Sequence, residues 1–124
     1  MSSPTIGISR STDAEASKRK LLSYMGFAAK AGRLCYGMNA AVGAVISHKA
    51  RLVLCACDVS EKSRKELSFH CNKNSVKLLV FDGFDMKTVS DAVGRKCGII
   101  SVNDSGFADA LLKAYKEGGN ADDE

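Results

Sequence analysis

Five cysteines and two histidines are the side chains in this sequence that could hold a metal or act as nucleophiles. Cys35, Cys55, Cys57, Cys71 and Cys97 are odd in number, form no CxxC pair, and three of them sit inside apolar runs. A site drawn from Cys55, Cys57, Cys71 and His70 would lack the closely paired ligands on turns that structural zinc sites use. Reduced thiols packed as small hydrophobes account for the pattern better, and they fit a reducing cytoplasm. A cysteine nucleophile would need a base brought to it by the fold, and thiols buried in strands are poor nucleophiles. His48 and His70 are flanked by solvent-type residues with no nucleophile or acid paired to them, and read as surface histidines. Asp58 follows the apolar run LVLCAC, at a strand end where α/β enzymes often keep catalytic groups. An Asp there also caps a following helix, and that is the reading adopted. No GxGxxG or GxxxxGK[ST] loop follows a strand. The expectation is therefore a protein that is not an enzyme, with no catalytic residue, metal site or cofactor.

Charge carries more information than these groups. The net charge is +4, but residues 18–77 hold twelve Lys and Arg against Asp58, Glu61 and Glu66, a local balance of +9, whereas residues 78–124 balance at −4. Such a bias either attracts polyanions or simply solvates a surface. Nothing in the chain is apolar for about 18 residues, and the N-terminal MSSPTIGISRSTDAEASKRK lacks the apolar stretch of a signal peptide. A soluble cytoplasmic protein with no membrane partner is expected.

The elements that would position these residues alternate along the chain. With 124 residues and 45% hydrophobic content there is material for one core and one domain. Residues 1–16 and the acidic 118–124 have nothing periodic to bury and read as disordered tails flanking a domain over 17–117. Ser17 can cap a helix carrying Leu21, Leu22, Met25, Ala28 and Ala29 at helical spacing, stopped by Gly32. A short strand from Arg33 to Tyr36 and a helix from Met38 to Ser47 follow. LVLCAC at 52–57, VKLLVF at 76–81 and GIISV at 98–102 read as buried strands, separated by helices near 60–72 and 85–93, and a last helix runs from about 105. Asp58 to Ser60 offer caps for the third helix and Asn103 or Asp104 for the last. This alternation predicts an α/β fold, a single-domain three-layer α/β/α sandwich with a mixed central sheet.

The run LLSYMGFAAKAGRLCYGMNAAVGAVISHKARLVLCACDVSEKSRKEL, with KLLVFDGFDMKTVSDAVGRKCGIISVNDSGFADALLKA after it, resembles the YlxQ-type bacterial branch of the kink-turn-binding ribosomal protein family over roughly residues 19–115. The resemblance implies the same α/β/α sandwich and an RNA site where a helix N-terminus meets a neighbouring loop. The family's Gly-x-Asn-Glu-x-x-Lys pattern, whose polar members read guanine edges in sheared G·A pairs, stands here as Gly37-Met38-Asn39-Ala40-Ala41-Val42-Gly43. Gly37 and Asn39 match, while Ala40 and Gly43 replace the Glu and the Lys. Base-edge hydrogen bonds contribute roughly 1–3 kcal/mol of discrimination each, so two losses predict weaker or altered kink-turn specificity. Read without the family, Gly37 is a turn residue and Asn39 an early helix cap.

The family's loop pattern Leu-Gly-x-Ala-x-Gly falls on Val89-Ser90-Asp91-Ala92-Val93-Gly94. Ala92 and Gly94 fit, Val89 is a mild change, Ser90 is a departure, and Val93 lies within the pattern. Arg95 and Lys96 come next, placed to meet phosphate, or simply as solvated cations after a helix C-cap at Gly94. Asp58 and Val59 match the family's acidic turn beside the RNA. Lys30, Arg33, Lys62 and Arg64 complete the basic set as phosphate contacts without base information. The implied partner is structured RNA, kink-turn-like or bulged, with ribosomal RNA and a translation-related role in view and a monomer expected. The alternative is a protein-interaction module on the same fold, in which Ala40, Ala41 and Gly43 permit close backbone approach.

Overall fold

The computed structural model describes residues 2–81 and 83–117, with side chains from Glu15 onward. Among the described residues nine elements succeed one another: α1 (Ser2–Lys30), β1 (Leu34–Tyr36), α2 (Met38–Ile46), β2 (Leu52–Ala56), α3 (Glu61–Lys73), β3 (Lys77–Phe81), α4 (Met86–Val93), β4 (Ile99–Val102) and α5 (Ser105–Glu117). The strands form one sheet in the order β1-β4-β2-β3. β4 runs antiparallel to both β1 and β2, pairing Tyr36 and Leu54 with Ile100, and β2 and β3 are parallel. The sheet is thus mixed, as the alternation of elements predicts.

Every residue of β2 is buried because the sheet is covered on both faces. Side chains of a strand alternate between faces. Leu52, Leu54 and Ala56 join Met25, Ile100 and Leu111 beneath α1, α4 and α5. Val53 and Cys55 join Val45, Leu67, Cys71 and Ile99 beneath α2 and α3. The two cores on either side of one sheet are the three layers of the sandwich.

The start of the first helix differs from expectation. α1 begins at Ser2 rather than at a Ser17 cap. Pro4 falls in its first turn, where a missing N–H is tolerated, and no later proline interrupts the helix. Ser17 lies inside α1, buried, and donates its hydroxyl to the carbonyl of Ala114 on α5. Near it, Lys20 pairs with Glu117 at 3.1 Å. α3 is capped by Ser60, within the stretch expected to offer its cap, whose Oγ accepts the Ser63 N–H at 3.2 Å. Asp58 takes no part in that cap. At α5, Asp104 Oδ2 accepts the Phe107 N–H at 3.0 Å, one of the two caps expected there. The acidic tail expected over 118–124 lies outside the described residues.

The pairing defines two ends of the sheet. The upper end gathers the C-terminal ends of β1, β2 and β3 and the start of β4. The lower end gathers the starts of β1, β2 and β3 and the end of β4.

Candidate nucleic-acid interface

Gly37 leaves β1 at the upper end and caps α2 with φ 90° and ψ 166°. A Cβ there would meet nothing within 4 Å, so backbone conformation rather than space calls for glycine. Its N–H donates to the Ile99 carbonyl at 2.8 Å, which fixes the start of α2 against the start of β4. No side chain caps the helix; its first-turn amides precede the Ala41 N–H, which bonds the Gly37 carbonyl at 2.9 Å. The first amides of a helix have no partner within it and carry its positive pole, an arrangement that favours anions. Asn39 stands second in α2, exposed, and is not the cap that local sequence alone allowed. Ala40 and Gly43 are exposed beside it, and a side chain at Gly43 would enter open space.

The segment from α4 to β4 borders this helix end. Gly94 ends α4 in the left-handed conformation, φ 78°, and returns its N–H to the Ser90 carbonyl at 2.8 Å. Ser90 also anchors the loop beyond Gly94: its Oγ donates to the Cys97 carbonyl at 3.0 Å and accepts the Cys97 N–H at 2.9 Å. The residue that departs from the family pattern is therefore the clamp of the loop. Arg95 lies with its guanidinium 4.8 Å from the Tyr36 ring centroid, over the residue that precedes Gly37. Burial pushes the Tyr36 hydroxyl above its ordinary pKa, with Arg95 opposing that shift. Lys96 is exposed. Val89 and Val93, expected to face RNA, are instead in the core beneath α4, because the apolar stripe of so short a helix is needed to seat it. Ala92 is half-buried, with its carbonyl 3.2 Å from where a Gly26 side chain would start.

The turn between β2 and α3 completes the upper end. Ala56 donates its N–H to Gly98 and Cys57 to Phe84, at 2.8 and 2.9 Å. Asp58 Oδ1 accepts the Met86 N–H at 2.9 Å, so it does act on a helix N-terminus, but on α4. Asp85 caps the same helix through Thr88, and the bonds from Thr88 hold the Asp85 carboxyl below its usual range. Val59 is half-buried between the two cores. Beneath it, Gly98 is a packing requirement: a Cβ would stand 2.8 Å from Met86 Cγ and 3.0 Å from Val59 Cγ2. Sequence reasoning passed over Ser90 as a clamp and Gly98 as a contact, since both roles depend on residues distant in sequence. Lys62, exposed, and Arg64, half-buried, lie in the first turn of α3 just after this segment.

Lys30 and Arg33 do not join the group. The Arg33 carbonyl accepts the Asn103 N–H at 2.8 Å, which puts the end of α1 and the start of β1 at the lower end of the sheet. β1 must be crossed to reach Gly37, and three extended residues span about 10 Å.

The cysteines divide differently from expectation as well. Cys55, Cys71 and Cys97 are buried and Cys35 half-buried, but Cys57 is exposed, because it stands just past the covered part of β2. Burial raises the Cys55 and Cys97 thiols and pushes Cys71 up to about 11. Among the described residues, no three His, Cys, Asp or Glu side chains are grouped to hold a metal.

With this geometry in view, the chain matches the model of the ribosomal protein L7Ae/L30e/S12e/Gadd45 family over residues 19–112. The chain belongs to that family. It is 26% identical to the RNA-binding protein YlxQ of Enterococcus faecium over 95 residues, which cover 76% of this chain and 89% of that one. A Bacillus halodurans protein of unknown function superposes with a TM-score of 0.74 at 28% identity, over 78% of this chain and 97% of the other. The Giardia lamblia 15.5kD RNA binding protein shares the fold with a TM-score of 0.67 at 16% identity, over 84% and 88% of the two chains. Among the described residues no helix is long and apolar enough to cross a membrane.

Proposed function

We propose that this protein binds structured RNA without catalysis, recognising a kinked or bulged element through the start of α2 and the loop after α4. The observation that carries the reading is the Gly37–Ile99 hydrogen bond, which joins the uncapped helix end bearing Asn39 to the segment bearing Arg95 and Lys96. Asn39 would read a base edge, the helix amides and the two cations would hold phosphates, and Lys62 and Arg64 would extend the basic path. Its Enterococcus relative being an RNA-binding protein supports the same reading. A translation-related role in the cytoplasm, with ribosomal RNA as partner and the protein acting as a monomer, fits this reading.

Affinity for a kink-turn RNA, compared at two salt concentrations with the same RNA whose G·A pairs are changed to Watson–Crick pairs, tests it. A preference for the kinked form is the expected result. Equal, salt-sensitive binding to both would reduce the site to a general phosphate surface. Absence of binding would favour protein docking on α2, where Ala40 and Gly43 are exposed and small.

A further inference from the structure

The cations that do not reach the candidate interface are not scattered. From Ala16 to Cys57 the sequence contains no Asp or Glu but seven Lys and Arg. The fold brings four of them, Lys30, Arg33, Lys49 and Arg51, to the lower end of the sheet. Two hydrogen bonds fix this: Asn103 N–H to the Arg33 carbonyl and Arg51 N–H to the Val102 carbonyl, each 2.8 Å, so that Arg33 and Arg51 flank the end of β4 on its two sides. Lys49 is held nearby by the turn after α2. There His48 reverses the chain in the left-handed conformation, φ 64°, and the N–H groups of Lys49 and Ala50 both return to the Ala44 carbonyl. Lys30 is the last residue of α1, three residues before Arg33.

All four side chains are exposed. Among the described residues, the acids at the start of α5 beside this end are Asp104, half-buried with one carboxylate oxygen engaged by the Phe107 N–H, and Asp109, exposed and about one turn further along the helix. The upper end is more mixed: Arg95, Lys96, Lys62 and Arg64 are offset there by Asp58, Glu61 and Asp85. The lower end is thus the more purely cationic of the two, and the asparagine there, Asn103, is half-buried with its side chain bonded to Ser101 and Cys35, so that it is not offered to a base as Asn39 is.

We infer that the lower end of the sheet, through Lys30, Arg33, Lys49 and Arg51, is a second RNA surface that holds the phosphate backbone of a helical segment distinct from the one at α2. This rests on the RNA-binding function proposed for the chain and adds a second contact to it. The two ends are separated by the length of β2, about 16 Å for five extended residues, with the packed sheet between them. A segment seated on Asn39 therefore leaves the lower cations free for another, and the protein clamps two parts of one folded RNA. Backbone contacts of this kind position without reading sequence, which matches a surface made only of long cations.

The test uses the full chain and two probes: a minimal kink-turn RNA with short arms, and an unbulged RNA duplex of about 20 base pairs, roughly two helical turns, chosen to exceed the surface. The variant Arg33→Gln/Lys49→Gln/Arg51→Gln changes only exposed side chains, and thermal melting checks that it folds as the parent does. It is expected to bind the kink-turn within about twofold of the parent, but to lose about tenfold or more in affinity for the duplex. The slope of log affinity against log salt should fall by about 2 to 3, the number expected for three lost phosphate contacts. A complex preformed on immobilised kink-turn RNA should also capture the labelled duplex, and the triple variant should not. Unchanged duplex affinity and slope, or loss confined to anionic phospholipid vesicles with duplex binding intact, would overturn the inference. Asn39→Ala separates the two surfaces. If that variant leaves kink-turn binding intact while the triple variant loses the duplex, the α2 site is wrong and the lower surface stands; the reverse pattern means the opposite.

Discussion

Asn39 is the residue at which base recognition is most directly tested, because it is exposed at the second position of α2 and caps nothing. Asn39→Ala should weaken kink-turn binding by roughly 1–3 kcal/mol, the range of a well-made base-edge contact, with no change in melting temperature. Arg95→Ala should lower affinity for kinked and unkinked RNA alike and reduce the salt dependence by about one ion, since a phosphate contact carries no base information. Titration of labelled RNAs by fluorescence anisotropy would measure both, and loss of the melting transition in either variant would move the residue from recognition to folding. Restoring the family pattern is the complementary experiment. Ala40 and Gly43 are exposed, and nothing lies within 4 Å of a Cβ at Gly43, so Ala40→Glu/Gly43→Lys adds the missing groups without a clash. The double variant should bind the kink-turn about tenfold or more tightly than the parent, with the Watson–Crick control gaining less. Gly37 and Asn39 were legible in the sequence as a local pattern. Ser90 and Gly98 were not, because a clamp and a close contact are defined by their partners.

At the scale of elements, one hydroxyl holds both backbone groups of Cys97 in the connection between α4 and β4. Ser90→Ala removes both bonds to Cys97 and leaves a backbone N–H and carbonyl next to a buried side chain without that partner. It should cost about 1–3 kcal/mol of stability, read from urea unfolding. Amide exchange should accelerate at Cys97 more than in β2, and dissociation of bound RNA should quicken because Arg95 and Lys96 ride on this loop. Uniform exchange across the sheet would show that Ser90 supports the whole fold instead. The order and kind of the elements were readable from periodicity, since β2 is apolar throughout and α5 carries its stripe at Phe107, Leu111, Leu112 and Tyr115. Helix starts were less so. Asp58 and Ser60 both have side chains fit to cap, and the choice between them depended on α4 lying within reach of Asp58.

For the molecule as a whole, burial of thiols links stability to pH. Cys71 is raised from 9.0 to about 11 by burial, with Cys55 beside it adding to the shift. Because the folded state favours the neutral thiol, this contribution is fully present below about pH 9, where both states are protonated. It is lost as pH rises from there to about 11, where the folded thiol also ionises. Unfolding free energy should therefore fall across that interval, and Cys71→Ala, though less stable at pH 7 for its lost packing, should show a flatter decline. An equal decline in both proteins would assign the effect to other groups. The sequence by itself determined the alternation of elements, the three-layer sandwich and the basic bias of residues 18–77, because each arises from side-chain chemistry repeated at a local period. The tertiary structure alone decided which charges act together. Strand direction carried Lys30 and Arg33 to the end of the sheet opposite Gly37, while an antiparallel β4 delivered Arg95 to Tyr36. Such distances depend on pairing between segments far apart in the chain, and a local period contains no information about them.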